Sequence, residues 1–317
     1  MEINRVCVLG GSGFVGSHIV QLLSAQRYIV RVPTRQRERA KHLILLPTVD
    51  VVELDVHDET ALAGIVRGVD AVINLVGVLH DARRTRGFEQ AHVALTRKVI
   101  AACRQNGVRR LLHMSALGAD IHGPSKYQRT KGEAETLVRE SNLDWTIFRP
   151  SVVFGRGDRF LNMFATMLKL LPVVFLGSPD ARFQPVFVED VADAFVRGLA
   201  DREAVGHSYD LCGPRIYTLR ELVSLVGTIT GRGRPIIGLN DRLSLLQAWA
   251  LELLPVKLLT RDNYRSMKVA NVSAQPFPFD IRPAAIEAVV PAYLGDASPR
   301  GRYRAYRDHA GRASGGR

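Results

Sequence analysis

Val6-Cys7-Val8-Leu9-Gly10-Gly11-Ser12-Gly13-Phe14-Val15-Gly16-Ser17 is the stretch whose reading decides the fold. An apolar run meets glycines at positions 10, 13 and 16, and Ile19, Leu22 and Leu23 then recur on one helical face. A strand that turns on glycine into a helix lets backbone N–H groups and the positive helix N-terminus meet a pyrophosphate. The glycines permit the tight turn, the close approach of the phosphates and close helix–strand packing. Gly10, Gly13, Phe14, Val15 and Gly16 are therefore the first candidate cofactor contacts.

Outward from this loop, short β-branched runs alternate with helical patterns, as in a parallel sheet with crossover helices. Strands are predicted at Arg5–Leu9, Tyr28–Val32, Val49–Leu54, Ala71–Leu75, Arg110–Met114 and Trp145–Phe148. Helices are predicted near Gly13–Ala25, Glu59–Val66, Phe88–Asn106 and Ser125–Glu140. The strands are mostly continuous apolar runs, so both faces of the sheet should be covered. The expected fold is α/β, a doubly wound parallel (Rossmann) sheet with a smaller C-terminal α/β lobe. Residues 1–155 should form the dinucleotide-binding domain and 156–291 the lobe on the carboxyl edge of the sheet, with strand-like pieces at Gln184–Val188, Ser208–Leu211 and Pro235–Ile237. From Ala292 onward six arginines face two aspartates with little apolar content, which reads as a basic disordered tail, 292–317.

With 317 residues, 46% of them hydrophobic, the chain can bury a large core. No apolar run approaches the ~18 residues a spanning helix needs, and the expected location is cytoplasmic. Cys7, Cys103 and Cys212 stand far apart, which points to packing and not to a disulfide framework or thiolate metal site. A net charge of +12 favours anionic partners. Specific nucleic-acid binding is disfavoured, because no aromatic platform accompanies the basic tail.

The residues after the second strand bear on cofactor choice. An acidic residue about 20 positions beyond the glycines would hold a ribose 2′-OH, whereas an arginine accommodates a 2′-phosphate. No Asp or Glu stands between Glu2 and Glu38, and Arg35 is closest to the strand end in Arg31-Val-Pro-Thr-Arg35-Gln-Arg37-Glu-Arg39. NADP(H) is thus favoured over NAD(H). Asp55 and Val56, ending the third strand, suit the adenine, and Asn74 and Gly77, ending the fourth, let the cofactor lie across the sheet; a simple turn remains the alternative for either pair.

Tyr127 and Lys131 are four residues apart and share one helix face. An ammonium beside a phenol would lower a pKa that is normally ~10, making Tyr127 an acid/base near neutral pH. Lys131 would also reach nicotinamide ribose hydroxyls, and Ser115 ends the preceding strand where it would position a substrate oxygen.

With these residues in hand, the sequence resembles extended members of the short-chain dehydrogenase/reductase superfamily over roughly residues 3–290. Gly10/Gly13/Gly16, Asp55, Ser115, Tyr127/Lys131, Arg149-Pro150-Ser151 and Val186-Phe-Val-Glu-Asp190-Val-Ala192 carry the resemblance. Within the superfamily it is most similar to the atypical branch that contains the nucleotide-binding accessory subunit of respiratory complex I and its bacterial relatives. Arg31-Val-Pro-Thr-Arg35, Asn74-Leu-Val-Gly77, Ser125-Lys-Tyr127-Gln-Arg-Thr-Lys131 and Phe148-Arg-Pro-Ser-Val-Val-Phe-Gly155 carry that narrower match. The resemblance implies bound NADP(H), a cofactor contact at Pro150, and either NAD(P)-dependent oxidoreductase activity or a non-catalytic accessory or assembly role in an NADH:quinone oxidoreductase complex. Enzymes acting on nucleotide sugars commonly place Asn after the Arg-Pro segment. Val152 here cannot make that bond, which weighs against epimerase or dehydratase chemistry.

Two stretches of the lobe, Leu161–Leu176 and Leu243–Leu259, are apolar nearly all round and flanked by Lys169, Lys257 and Arg261. Buried core is the first reading. The second is a surface that meets a lipophilic substrate, a respiratory complex or the inner face of the cytoplasmic membrane as a peripheral protein.

Overall fold

The computed structural model describes residues 3–79, 81, 87–252 and 259–295. Six strands stand where the apolar runs put them: β1 (Arg5–Leu9), β2 (Ile29–Thr34), β3 (Val49–Glu53), β4 (Ala71–Asn74), β5 (Arg110–Met114) and β6 (Asp144–Pro150). The crossovers carry α1 (Phe14–Ala25), α2 (Glu59–Val66), α3 (Leu95–Gln105) and α4 (Lys126–Arg139). A π-helical turn, Glu89–Ala94, precedes α3 inside the stretch predicted as one regular helix.

Beyond β6 lie α5 (Phe160–Leu170), α6 (Val188–Ala200), β7 (His207–Leu211), α7 (Leu219–Ile229) and α8 (Asp241–Glu252). The seven-stranded sheet has the order β7-β6-β5-β4-β1-β2-β3, parallel throughout. Strand order reverses at β1, so a crevice opens at the carboxyl ends of β1 and β4.

The pleat explains the continuous apolar runs. Val6 and Val8 of β1 join one core with Ile19, Val20 and Leu23 of α1 and Val191, Phe195 and Leu199 of α6. Cys7 and Leu9 point the other way, into a second core with Leu62 of α2, Val99 of α3 and Val138 of α4. All three cysteines are buried, and burial pushes each thiol up to about 12, in keeping with packing.

Beyond residue 155, α6 packs on the main sheet and β7 extends it. Ser208–Leu211, assigned from sequence to the lobe, lies in β7, which pairs with β6 from His207↔Thr146 to Leu211↔Pro150. Placing that strand required knowing its partner, because a short run carries no record of which sheet it joins. Arg110 secures the return: its buried guanidinium donates to the carbonyls of Asp144 at 2.8 Å and of Gly198 at the end of α6. The Gly198 carbonyl is among those a helix leaves unpaired at its C-terminus.

The remaining segments form a third apolar cluster. It joins Phe154, Leu161, Phe164, Leu168, Val174 and Phe183 to Leu222 and Val226 of α7 and to Ile286, Val290 and Leu294. Gln184–Val188 contributes only Val186–Phe187 as strand, paired with Val153–Phe154, and Ile236–Leu239 pairs in parallel with Val174–Gly177. Order persists past the expected start of the tail: Pro291–Leu294 is helical, Leu294 is buried, and the Tyr293 hydroxyl donates to the buried Asp158 carboxylate at 2.9 Å. Residues 296–317 of the expected tail lie outside the described residues.

The two apolar stretches diverge. α5 buries Leu161, Phe164 and Leu168 in the third cluster. α8 buries only Ser244 and Ala248 and leaves Leu243, Leu245, Leu246 and Trp249 between 42% and 57% exposed, so the core reading fails there. Among the described residues no helix is long and apolar enough to cross a membrane.

Candidate functional site

The glycine loop has the shape its spacing demands. Gly10 holds a φ of +82°, where an L side chain is strained, and the Gly13 N–H donates to the Gly10 carbonyl at 2.9 Å. A Cβ on Gly16 would press into that carbonyl and lie 2.7 Å from Gly11 Cα, so α1 sits against the turn as only glycine allows. Gly13 caps α1 without a side-chain hydrogen bond, and no acidic residue stands in the first turn. The N-terminal N–H groups thus face no carboxylate of their own helix, a disposition suited to phosphate. Val15 is core, whereas Phe14 is half-buried and would lie 3.4 Å from a Cβ at Gly155. The loop after β6 therefore approaches the first residue of α1, a closeness the sequence pattern did not announce.

At the end of β2 the arginines separate by role. Arg31 donates to the carbonyls of Ile65 at 3.2 Å and Arg67 at 2.6 Å, so its guanidinium is used by the fold. Arg35 directly follows Thr34, the last residue of β2, and is exposed; among the described residues its side chain has no hydrogen bond or ion pair. Ser12 and Thr34 hydroxyls meet at 3.5 Å between it and the glycine turn. Asp55 lies beyond β3, where its carboxylate accepts from the His57 N–H at 3.1 Å in a tight turn before α2. Val56 is half-buried against the second core.

Asn74, Gly77, Ser115 and Lys131 surround the ends of β4 and β5. Asn74 is buried; its carbonyl accepts from the Val76 N–H at 3.2 Å and its amide lies 3.3 Å from His113 Nδ1. Lys131 is 3% exposed and donates from Nζ to the Met114 carbonyl at 3.0 Å, beside Ser115. A Cβ on Gly77 would stand 3.2 Å from that Nζ and 3.6 Å from His92 Nε2, so glycine gives the ammonium its room. Ser115 Oγ and His113 Nε2 are buried polar atoms without a partner among the described residues. Such atoms cost free energy unless something else bonds them.

The helix carrying Tyr127 and Lys131 is held at its start from far along the chain. Ser125 and Gln128 form a capping box, and the Asp262 carboxylate accepts from the N–H groups of Lys126 at 2.7 Å and Tyr127 at 3.2 Å. Asp262, 135 residues away, gave no signal in the sequence. Tyr127 is half-buried, edge-on to Phe88 and His92 with ring centroids 5.7 and 5.6 Å apart. Its acidity differs from the expectation: burial pushes the phenol up to about 12, where a lysine was expected to pull it down. Burial lowers Lys131 itself to about 8, opposed by Glu135 one turn on. The Glu135 carboxylate is engaged by Arg149 and by Arg139 at 2.7 Å. The site thus holds a phenol that is neutral near pH 7.

Pro150 ends β6, and its carbonyl accepts from the Leu117 N–H at 3.0 Å. The Ser151 hydroxyl donates to Asn271 Oδ1 at 2.5 Å, while Asn271 Nδ2 reaches the Leu117 carbonyl at 3.1 Å. One asparagine therefore ties the ends of β5 and β6 to the C-terminal segment. Among the described residues no group of His, Cys, Asp and Glu side chains could hold a metal ion.

Residues 10–158 match the family model described as NAD(P)H-binding. The chain is 34% identical over 228 residues to the mitochondrial NADH dehydrogenase [ubiquinone] 1 alpha subcomplex subunit 9 of Arabidopsis thaliana, with 69% of this chain aligned. It spans 56% of that relative's length. It is also 25% identical to a 3 beta-hydroxysteroid dehydrogenase/Delta 5→4-isomerase of Mycobacterium tuberculosis, over 92% of this chain and 91% of the other. In three dimensions it resembles a nucleoside-diphosphate-sugar epimerase of Staphylococcus aureus, with a TM-score of 0.71, 16% identity and coverage of 92% and 99%. The chain thus carries an NAD(P)-binding domain on a Rossmann-type fold like that of the epimerases and short-chain dehydrogenases, and its homologues include subunits of respiratory complex I.

Proposed function

We propose that this protein binds NADP(H) along the carboxyl ends of β1, β2 and β4 and acts as an oxidoreductase of the atypical short-chain dehydrogenase type. The observation that carries the reading is a buried Lys131 ammonium beside a buried Ser115 hydroxyl, the first with one hydrogen bond and the second with none among the described residues, at the crevice of a sheet whose glycine loop suits a pyrophosphate. The residues fit the cofactor along its length: Gly10, Gly13, Phe14, Val15 and Gly16 at the phosphates, Arg35 at a 2′-phosphate, Asp55 and Val56 at the adenine, and Asn74, Gly77, Lys131 and Pro150 towards the nicotinamide.

A reduced nicotinamide supplies a hydride when bound. Ser115 Oγ orients the substrate carbonyl, and the Tyr127 phenol, protonated at neutral pH, donates its proton to the carbonyl oxygen. Lys131, whose Nζ donates to the Met114 carbonyl, would hold the ribose hydroxyls. The balance is one hydride and one proton added to a C=O, which favours reduction of an aldehyde, ketone or quinone. The name of the mycobacterial relative supports carbonyl/hydroxyl chemistry, whereas Val152 supports it over sugar-nucleotide epimerisation.

The test is to denature purified protein, identify any released nucleotide, and compare NADPH and NADH affinities at one salt concentration. NADPH oxidation is then followed with a panel of carbonyls and quinones. Tyr127→Phe should keep NADPH affinity and lose turnover; unchanged turnover would overturn the mechanism, and binding of neither nucleotide would overturn the whole reading.

A second reading, a peripheral subunit or assembly factor at the inner face of the cytoplasmic membrane, is favoured by the exposed face of α8. Leu243, Leu246 and Trp249 follow helical spacing, and the exposed Phe175 and Ile237 are register partners on the adjoining two-stranded ribbon. Gln247 ties the two elements by donating to the Phe175 carbonyl at 2.7 Å. Lys169 and Arg242, both exposed, supply positive charge beside this surface. Wild-type protein should sediment with anionic phospholipid vesicles at low salt, and the Leu246→Glu/Trp249→Glu variant should remain in the supernatant. A wild-type protein that stays in the supernatant at low salt counts against this reading.

A further inference from the structure

We propose that His92 is a positioning residue: it fastens the loop Gly77–Val78 after β4 to the helix that carries Tyr127 and Lys131, and so shapes the nicotinamide end of the site alone. The proposal rests on the reading of a nicotinamide dinucleotide at this crevice. His92 lies in the π-helical turn Glu89–Ala94 and is 1% exposed. Its Nε2 accepts from the Val78 N–H at 3.2 Å, and its Nδ1 lies 2.9 Å from Thr130 Oγ1. Val78 adjoins Gly77 and Thr130 adjoins Lys131, so one ring spans the two elements between which the nicotinamide would lie.

The hydrogen bonds have a single direction. A backbone N–H donates to Nε2, so the ring hydrogen sits on Nδ1 and points at Thr130 Oγ1. The threonine hydroxyl in turn donates to the carbonyl of Lys126 at 3.0 Å or of Tyr127 at 3.2 Å. A protonated ring would present a second N–H to the Val78 N–H and break this chain. Burial and the neighbouring Lys131 ammonium hold the imidazole neutral, lowering it to about 2. Phe88 stacks on one face at 5.5 Å and Tyr127 meets the ring edge-on at 5.6 Å, which fixes its plane. π-Helical turns inside α-helices often mark functional sites, and here the wider turn lies where the ring enters the space between β4 and α4.

A merely packed histidine would affect the whole fold, whereas a clamp at one end of the crevice affects one half of the cofactor. The experiment measures affinity for NADPH and for 2′,5′-ADP, which carries the adenosine and the 2′-phosphate without the nicotinamide, together with melting temperature. His92→Leu should weaken NADPH about tenfold and leave 2′,5′-ADP within about twofold. His92→Gln, whose amide oxygen can still accept from Val78, should recover most of the loss. Thr130→Val, which removes the other end of the clamp at nearly constant volume, should act in the same direction and keeps the test decisive if His92→Leu does not fold. Equal weakening of both ligands, or no weakening of either, would overturn the proposal. Failure of the underlying reading is seen separately, as wild-type protein that binds neither nucleotide, and that result overturns the proposal as well.

Discussion

Replacing Arg35 with serine should weaken NADPH binding by roughly 30- to 150-fold while NADH affinity changes by less than about threefold. The size follows from about 2–3 kcal/mol for charge-assisted hydrogen bonds between a guanidinium and a dianionic phosphate. Arg35 suits the role because it is exposed at the end of β2 and has no partner among the described residues, whereas Arg31 is committed to the Ile65 and Arg67 carbonyls. Its guanidinium is therefore available to a ligand without loss of a structural bond. Titration calorimetry with both nucleotides, repeated at raised salt, checks the effect, since the wild-type preference should shrink as salt screens the charge. Equal loss for NADPH and NADH would show that Arg35 does not read the 2′-phosphate, and the preference for NADP(H) would fall with it.

Lys131→Met should make the protein more stable at pH 7 by about 2 kcal/mol and at the same time weaken its hold on the nicotinamide half of the cofactor. Among the described residues the buried ammonium has one hydrogen bond, to the Met114 carbonyl, and burial lowers Lys131 from 10.5 to about 8. Between pH 8 and 10.5 the unfolded chain holds a proton on this lysine that the folded chain has released. This group therefore adds stability as pH rises through that window and imposes its full penalty below pH 8. The variant's advantage should be largest at pH 7 and decline towards pH 10, as read by urea unfolding of both proteins at matched pH. A variant less stable than wild type at pH 7, with the same pH slope, would show that the ammonium is better solvated than its surroundings indicate. Stability sacrificed at one position is the pattern expected where a residue serves a ligand and not the fold.

The phosphate turn was legible because it is local. Gly13 and Gly16 meet their constraints within the turn itself and Gly10 through its own positive φ, and the runs that flank them declare strand and helix by period. That Tyr127 and Lys131 share one helix was legible for the same reason, a spacing of four. Their acidities were not. The phenol rises and the lysine falls because Phe88, His92 and the strand ends exclude water, and exclusion of water is a property of the assembled surroundings. His92, Asp262 and Asn271 escaped notice since each acts on a partner distant in the chain, and nothing in its own neighbours marks it.

The division extends to the whole molecule. By itself the sequence determined the doubly wound core, the glycine loop and the arginine after β2, all of which depend on periodicity and on conformations that one or two residue types permit. Only the tertiary structure decided that β7 returns to the main sheet, that α8 leaves its leucines and Trp249 outside, and that His92 joins the loop after β4 to α4. An apolar helix or a short strand has a surface to bury but no means of naming what will cover it. That choice is made by the packing of the rest of the chain.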